Sequence, residues 1–242
     1  MSHTLPDYTT KYKLAKIFGN VDNAELAARL GACSTMDRRG NLIWYDDFES
    51  TAANKWGSTI DPGGTMALST VQAWMGNQSM KTVTDVDLND DVIMEKRFHL
   101  PVDRRIGVEF MFCMDTGKPT IRFYLAGYTG AVFFGAEIMY IHDTGKLYYW
   151  NSAGAYVELT RYDGTYVNFG SWFYMKLVID ADTKKYVRLI FGSSEYDLSA
   201  LNMRSNADAS ESMLVLFITN RAGTAAASTV YFDNVILTQN EP

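Results

Sequence analysis

From Asn41 onward the apolar residues recur with a period of two, and turn-forming residues return at intervals of roughly ten positions. A helix needs a period near 3.6, so this part of the chain is restricted to strands that bury one face and are joined through short turns. Phe173, Met175, Leu177 and Ile179 alternate with Trp172, Tyr174, Lys176 and Asp180, after which Asp182-Thr183-Lys184-Lys185 turns the chain back into a second strand. Ile121, Phe123 and Leu125 alternate with Arg122 and Tyr124. Asp143-Thr144-Gly145-Lys146 predicts a hairpin leading into Leu147-Tyr148-Tyr149-Trp150. The run from Met213 to Ile218 is apolar on both faces and is expected at the centre of a covered sheet. Gly57 to Gly64 and Leu198 to Ser210 read as longer loops, the second with a helical turn. The expected fold class is all-β, a jelly-roll β-sandwich.

Residues 1–40 read differently. Asp22-Asn23-Ala24-Glu25 carries an acidic cap with Glu three positions on, Leu26, Ala27 and Leu30 form one apolar face, and Gly31 supplies a stop. This predicts one short α-helix over about 23–30, which alone would be marginal in water and must dock on the body or on another subunit. The segment holds six basic residues (Lys11, Lys13, Lys16, Arg29, Arg38, Arg39) against four acidic ones, roughly +2, while the whole chain carries −6. The expected organisation is an N-terminal anchoring arm over 1–40 and a β domain over 41–242.

Charge and patterning narrow the partners. A net charge of −6 disfavours nucleic acid, whose phosphates require clustered Lys and Arg. No apolar run approaches the roughly 18 residues of a membrane span, and the first residues lack a charged region followed by an apolar one, so synthesis in the cytoplasm is expected. Cys33 and Cys113 are expected as two buried thiols.

Two acidic motifs bracket the β region: Asp46-Asp47-Phe48-Glu49 and Tyr231-Phe232-Asp233-Asn234-Val235. Together with Trp56-Gly57, the Gly-x-x-Ser-Met-Lys segment from Gly76 to Lys81 and the closing Val-Tyr-Phe-Asp-Asn-Val-x-Leu strand, they resemble the concanavalin-like and carbohydrate-binding-module jelly rolls over residues 41–238. The resemblance implies a structural Ca2+ held by Glu49 and Asp233 with Asp47, where carboxylates on the first and last strands would supply hard oxygen ligands. Strand parity would place Asp47 and Glu49 on one face and Asp233 on the face of Val235 and Leu237. The alternative is that these carboxylates accept backbone N–H bonds at a rim.

The arm resembles the leaders of structural proteins of tailed phages. That resemblance implies a non-catalytic virion protein of a capsid or tail, displayed at the virion surface, anchored to other virion subunits through residues 1–40 and repeated as a homo-oligomer. The alternative is a carbohydrate-binding module. Sugar rings stack on aromatic faces flanked by polar groups, and the outward aromatic candidates are Tyr124, Tyr148, Trp150, Trp172 and Tyr174. A glycoside-active enzyme is the third expectation, ranked last. Hydrolysis needs a carboxylate pair, whereas Glu95, Glu109, Glu137 and Glu158 stand singly in strand-like sequence and are expected to be solvated. No Gly-x-Ser-x-Gly elbow or phosphate loop is present, and His99 and His142 read as structural.

Overall fold

The computed structural model describes residues 36–37, 39–50, 55–161 and 169–242. The chain divides into two units, Met1–Arg38 and Arg39–Pro242. Almost all of the first lies outside the described residues, and with it the helix expected over 23–30, Cys33 and the anchoring role of the arm.

In chain order the strands of the second unit are β1 (Asn41–Asp46), β2 (Gly57–Ile60), β3 (Thr65–Ser69), β4 (Ser79–Val83), β5 (Asp91–Phe98), β6 (Arg105–Thr116), β7 (Pro119–Tyr128) and β8 (Val132–Ile141). They continue with β9 (Lys146–Trp150), β10 (Tyr156–Arg161), β11 (Trp172–Asp180), β12 (Lys185–Phe191), β13 (Ser194–Asp197), β14 (Arg204–Ala207), β15 (Met213–Ala222) and β16 (Thr229–Gln239). Sheet A has the order β13-β12-β11-β6-β16-β4-β3, with β1 on β16; sheet B has the order β10-β9-β8-β7-β15-β5-β2, with β14 on β8. All of these pairings are antiparallel.

The alternation seen in the sequence generates the core directly. Phe110 and Phe112 from β6, Met175 and Leu177 from β11, Phe123 and Leu125 from β7, and Leu216 and Ile218 from β15 are fully buried between the sheets. The Phe110 and Phe123 rings meet edge to face across the interface at 5.1 Å. Removing each such side chain from water contributes about 1.5–3 kcal/mol, so the sandwich is held mainly by this layer. β15 lies between β7 and β5, where its two-sided apolar sequence predicts it. The β8–β9 and β11–β12 hairpins form at the predicted turns, the second with Lys184 at φ 58°.

Two of the predicted loops contain strands. β2 lies within Gly57 to Gly64, and β14 lies within Leu198 to Ser210, where a helical turn was expected. Both are short edge strands whose side chains are exposed throughout, so neither carries an apolar face that sequence periodicity could reveal.

The acidic motifs also depart from simple strand parity. β1 ends at Asp46, and Phe48 adopts φ 57°, so Asp47 and Glu49 belong to a turn. In β16, Asn234 adopts φ 51° at a bulge between Asp233 and Ile236. The core-facing residues change there from Val230 and Phe232 to Val235 and Leu237. Asp233 therefore lies on the side opposite Val235 and Leu237, because one inserted residue reverses the alternation.

The outer side of sheet A carries buried charges. Lys176 is fully buried there, its ammonium 2.8 Å from Glu241 and 3.4 Å from Glu109. Arg188 also pairs with Glu241 and donates to the Pro242 carbonyl at 2.7 Å. The last residues of the chain thus fold over this sheet and neutralise its buried cations, a requirement for charges removed from water.

Candidate functional site

The outer face of sheet B gathers most of the chemistry. In β7 the positions that alternate with core residues Ile121, Phe123 and Leu125 are Arg122 and Tyr124. Antiparallel register then sets Tyr124 opposite Glu137 of β8 and opposite Phe217 of β15. Trp150, at the end of β9, faces Tyr156 of β10. The result is an aromatic row crossing the strands: Tyr124 stacks on Phe217 with centroids 5.6 Å apart and meets Trp150 edge to face at 5.7 Å. Gly135 permits this closeness, since a Cβ there would stand 2.8 Å from the Tyr124 hydroxyl.

Beside the row sits a polar triad. Arg122 Nε donates to Glu137 Oε1 at 2.6 Å, Tyr156 Oη donates to the same oxygen at 2.8 Å, and Arg122 Nη2 donates to Tyr156 Oη at 3.0 Å. Glu137 is buried, with 3% of its surface exposed, and Arg122 is also 3.8 Å from Asp91. Burial works against the Arg122 cation, but the bond and charge of Glu137 outweigh it and hold its pKa above the ordinary arginine value. Burial, reinforced by the Glu137 charge, pushes Tyr156 up to about 12, so its phenol keeps the proton that it donates to Glu137 at neutral pH. Arg122, Tyr124, Glu137, Phe217, Thr219 and Ile93 line a hollow of about 220 Å3.

The core supports the site from beneath. The β8–β9 ladder reaches Ile138 and Tyr149 and stops one step short of Glu137. There the hydroxyl of Tyr186, from β12 of the opposite sheet, accepts the Glu137 N–H at 3.0 Å and donates to the Trp150 carbonyl at 2.8 Å. One buried phenol thereby satisfies the backbone on both sides of the site.

The five predicted aromatics do not form one surface. Tyr124, Tyr148 and Trp150 belong to the outer face of sheet B, whereas Trp172 and Tyr174 belong to β11 of sheet A. Trp172 pairs with Trp74 at 6.4 Å. Tyr174 is buried and donates to Glu109 at 2.7 Å, which withdraws its ring from solvent. Phe217, Tyr156 and Arg122 complete the sheet B face and were not singled out in the sequence. The expectation that the lone glutamates are solvated fails for two of them, because Glu109 and Glu137 are buried; Glu95 and Glu158 pair with Arg97 and Lys146.

A larger hollow of about 680 Å3 includes Trp44, Lys96, Phe98, His99 and Met213 in its lining. Its Lys96 ammonium is already committed to the Lys55 carbonyl at 2.7 Å and to the Trp44 ring at 5.3 Å. Arg97, Glu211 and Ser212 also line it, but only at the smaller hollow do polar side chains bond to one another around a buried carboxylate beside an aromatic row, which makes that cavity the better site.

Asp47, Glu49 and Asp233 serve backbone donors. Asp47 Oδ1 accepts the Glu49 N–H at 3.2 Å; Glu49 Oε1 accepts Asn77 N–H at 2.7 Å and Gln78 N–H at 2.9 Å. Asp233 Oδ2 accepts the N–H groups of Trp74 and Met75, and its Oδ1 accepts that of Asn234. Glu49 and Asp233 so clamp the 74–78 segment from its two ends, and Gly76 at φ 75° lets Glu49 approach. Among the described residues no group of three or more His, Cys, Asp or Glu side chains converges in a way that could hold a metal ion. A donor set turned toward N–H groups does not fit the expected Ca2+. Asp46, not singled out as a ligand, is the buried carboxylate of its motif and accepts Phe48 N–H and Trp56 Nε1–H, each at 3.0 Å.

Neither a family model nor a curated protein matches the sequence. Solved structures do resemble it. An endo-β-1,4-glucuronan lyase from the fungus Trichoderma reesei superposes with a TM-score of 0.57 at 15% identity, covering 83% of this chain and 96% of that one. A carbohydrate esterase of the Shiga toxin-encoding bacteriophage phi24B gives 0.52 at 10% identity over 84% of this chain and 100% of the other. The lectin UEA-II, solved with galactose, gives 0.52 at 12% over 82% and 98%. At these identities the likeness concerns fold, and by fold the chain is a concanavalin-like jelly-roll β-sandwich.

Proposed function

We propose that this protein binds carbohydrate on the outer face of sheet B. The observation that carries the reading is the aromatic row Trp150–Tyr124–Phe217 lying beside Arg122 and Tyr156, which converge on the buried Glu137. Rings present apolar faces to the C–H side of a sugar, while the Arg122 N–H groups not engaged with Glu137 and Tyr156 offer donors fixed in direction for its hydroxyls. The hollow is smaller than the roughly 300–1,000 Å3 of sites that enclose a drug-sized ligand, so it would take one ring of a chain laid across the sheet. Relatives in fold that are named as a lectin and as carbohydrate-active enzymes support the same class of ligand.

The test is a glycan array followed by titration of any glycan retained. Trp150→Ala is expected to weaken binding about tenfold or more, since losing a stacked ring and its buried area exceeds 1.4 kcal/mol. Trp172→Ala, on the other sheet, is expected to leave affinity unchanged. An array blank at high protein concentration, or equal loss in both variants, would overturn the proposal. The virion reading rests on residues 1–40 and gains no support from the sheet B face.

A further inference from the structure

Among the described side chains, four cations on the outer face of sheet B are paired with carboxylates and one is not. Arg122 pairs with Glu137 at 2.6 Å, Arg221 with Asp91 at 2.6 Å, Lys146 with Glu158 at 2.7 Å and Arg97 with Glu95 at 2.5 Å. Arg204, on β14, has no carboxylate within 4.0 Å among the described residues. Its guanidinium instead lies 4.9 Å from the centre of the Trp150 ring, and the turn at Gly154 passes beside it. The side chain is exposed, yet the ring face holds it in place.

We infer that the ligand of this face is an acidic glycan, and that Arg204 receives the carboxylate or sulfate of a sugar placed at Trp150. The inference rests on the carbohydrate-binding reading and adds the charge class of the ligand. A guanidinium is a planar fork of donors with no acceptor capacity, matched to the two oxygens of a carboxylate. Stacking on Trp150 fixes the plane of that fork before a ligand arrives, which lowers the entropy lost on binding. The other described cations of the face, Arg122, Arg221, Lys146 and Arg97, are already paired with protein carboxylates. The chain as a whole carries −6, so an acidic polymer is repelled by the molecule at large and retention has to come from a local site.

Affinity electrophoresis of the full chain tests this with four polymers: polygalacturonate, the same polymer with its carboxyl groups reduced, dextran sulfate and a neutral xylan. The expected result is retardation by polygalacturonate or dextran sulfate, which identifies the anion as carboxylate or sulfate, and a weakening of tenfold or more in Arg204→Gln. The carboxyl-reduced polymer and xylan should retard the wild type and Arg204→Gln equally. Arg204→Lys retains charge without the planar fork and should recover only part of the affinity. Retention of neutral polymers that depends on Trp150 but not on Arg204 would overturn the acidic assignment and leave the carbohydrate reading standing. No retardation by any polymer would remove both.

Discussion

Single residues decide how the acidic motifs are used. Asn234 at positive φ inserts one extra residue into β16 and turns Asp233 away from the core, against the 74–78 segment. Asp233 has no exposed surface, and burial raises its pKa from 3.8 to about 6; the N–H bonds from Trp74, Met75 and Asn234 oppose that rise and the charge of Glu49 adds to it. A carboxyl whose folded pKa exceeds its unfolded value binds protons more tightly when folded. The contribution of Asp233 to stability should therefore be fully present below about pH 4, fall as pH rises through about 6, and level off above it. Asp233→Asn should flatten that portion of a urea-unfolding profile measured against pH. A wild-type profile that does not fall relative to Asp233→Asn over the same interval would refute the assignment. Glu49 moves the other way, held low by the Gln78 and Asn77 N–H groups.

Among elements, the informative contact is the one from β12 to the β8–β9 edge. Tyr186 crosses the core and completes two backbone bonds that the ladder leaves open at Glu137 and Trp150. Tyr186→Phe keeps the ring packing and removes only the hydroxyl. It should cost about 1–3 kcal/mol, the penalty for leaving buried backbone groups without partners, read as a lower urea midpoint with unchanged slope. Trp150 should also lose its fixed position, so glycan affinity is expected to fall in the same variant without any change at the binding face itself. The hairpins and the central β15 were legible in the sequence because each is a local pattern: two alternating runs around a turn, or one run apolar on both faces. The edge strands β2 and β14 were not, since their pairing uses backbone alone and their side chains are exposed.

For the molecule as a whole, the carboxylates of Glu49 and Asp233 act as clamps that tie the turn after the first strand and the last strand to the loop at 74–78, while Asp47 closes its own turn. Melting temperature is accordingly expected to be the same after EDTA treatment and after calcium is restored; a rise on adding calcium would show that the ion binds the folded state.

The sequence by itself determined that residues from Asn41 form an all-β sandwich, which residues fill its core, and that its surface is rich in aromatics. Period-two alternation is a short-range property, and it specifies which side of a strand is buried. The tertiary structure alone decided which strands share a sheet. That choice separated Tyr124 and Trp150 from Trp172 and Tyr174, brought Arg122 diagonally to Glu137, and left Arg204 stacked on Trp150. These placements depend on pairings between residues far apart in the chain, such as Arg122 of β7 with Thr219 of β15, 97 positions on, and on a bulge that reverses parity. Neither leaves a trace in the local spacing of apolar residues, and so the site had to be read from the folded chain.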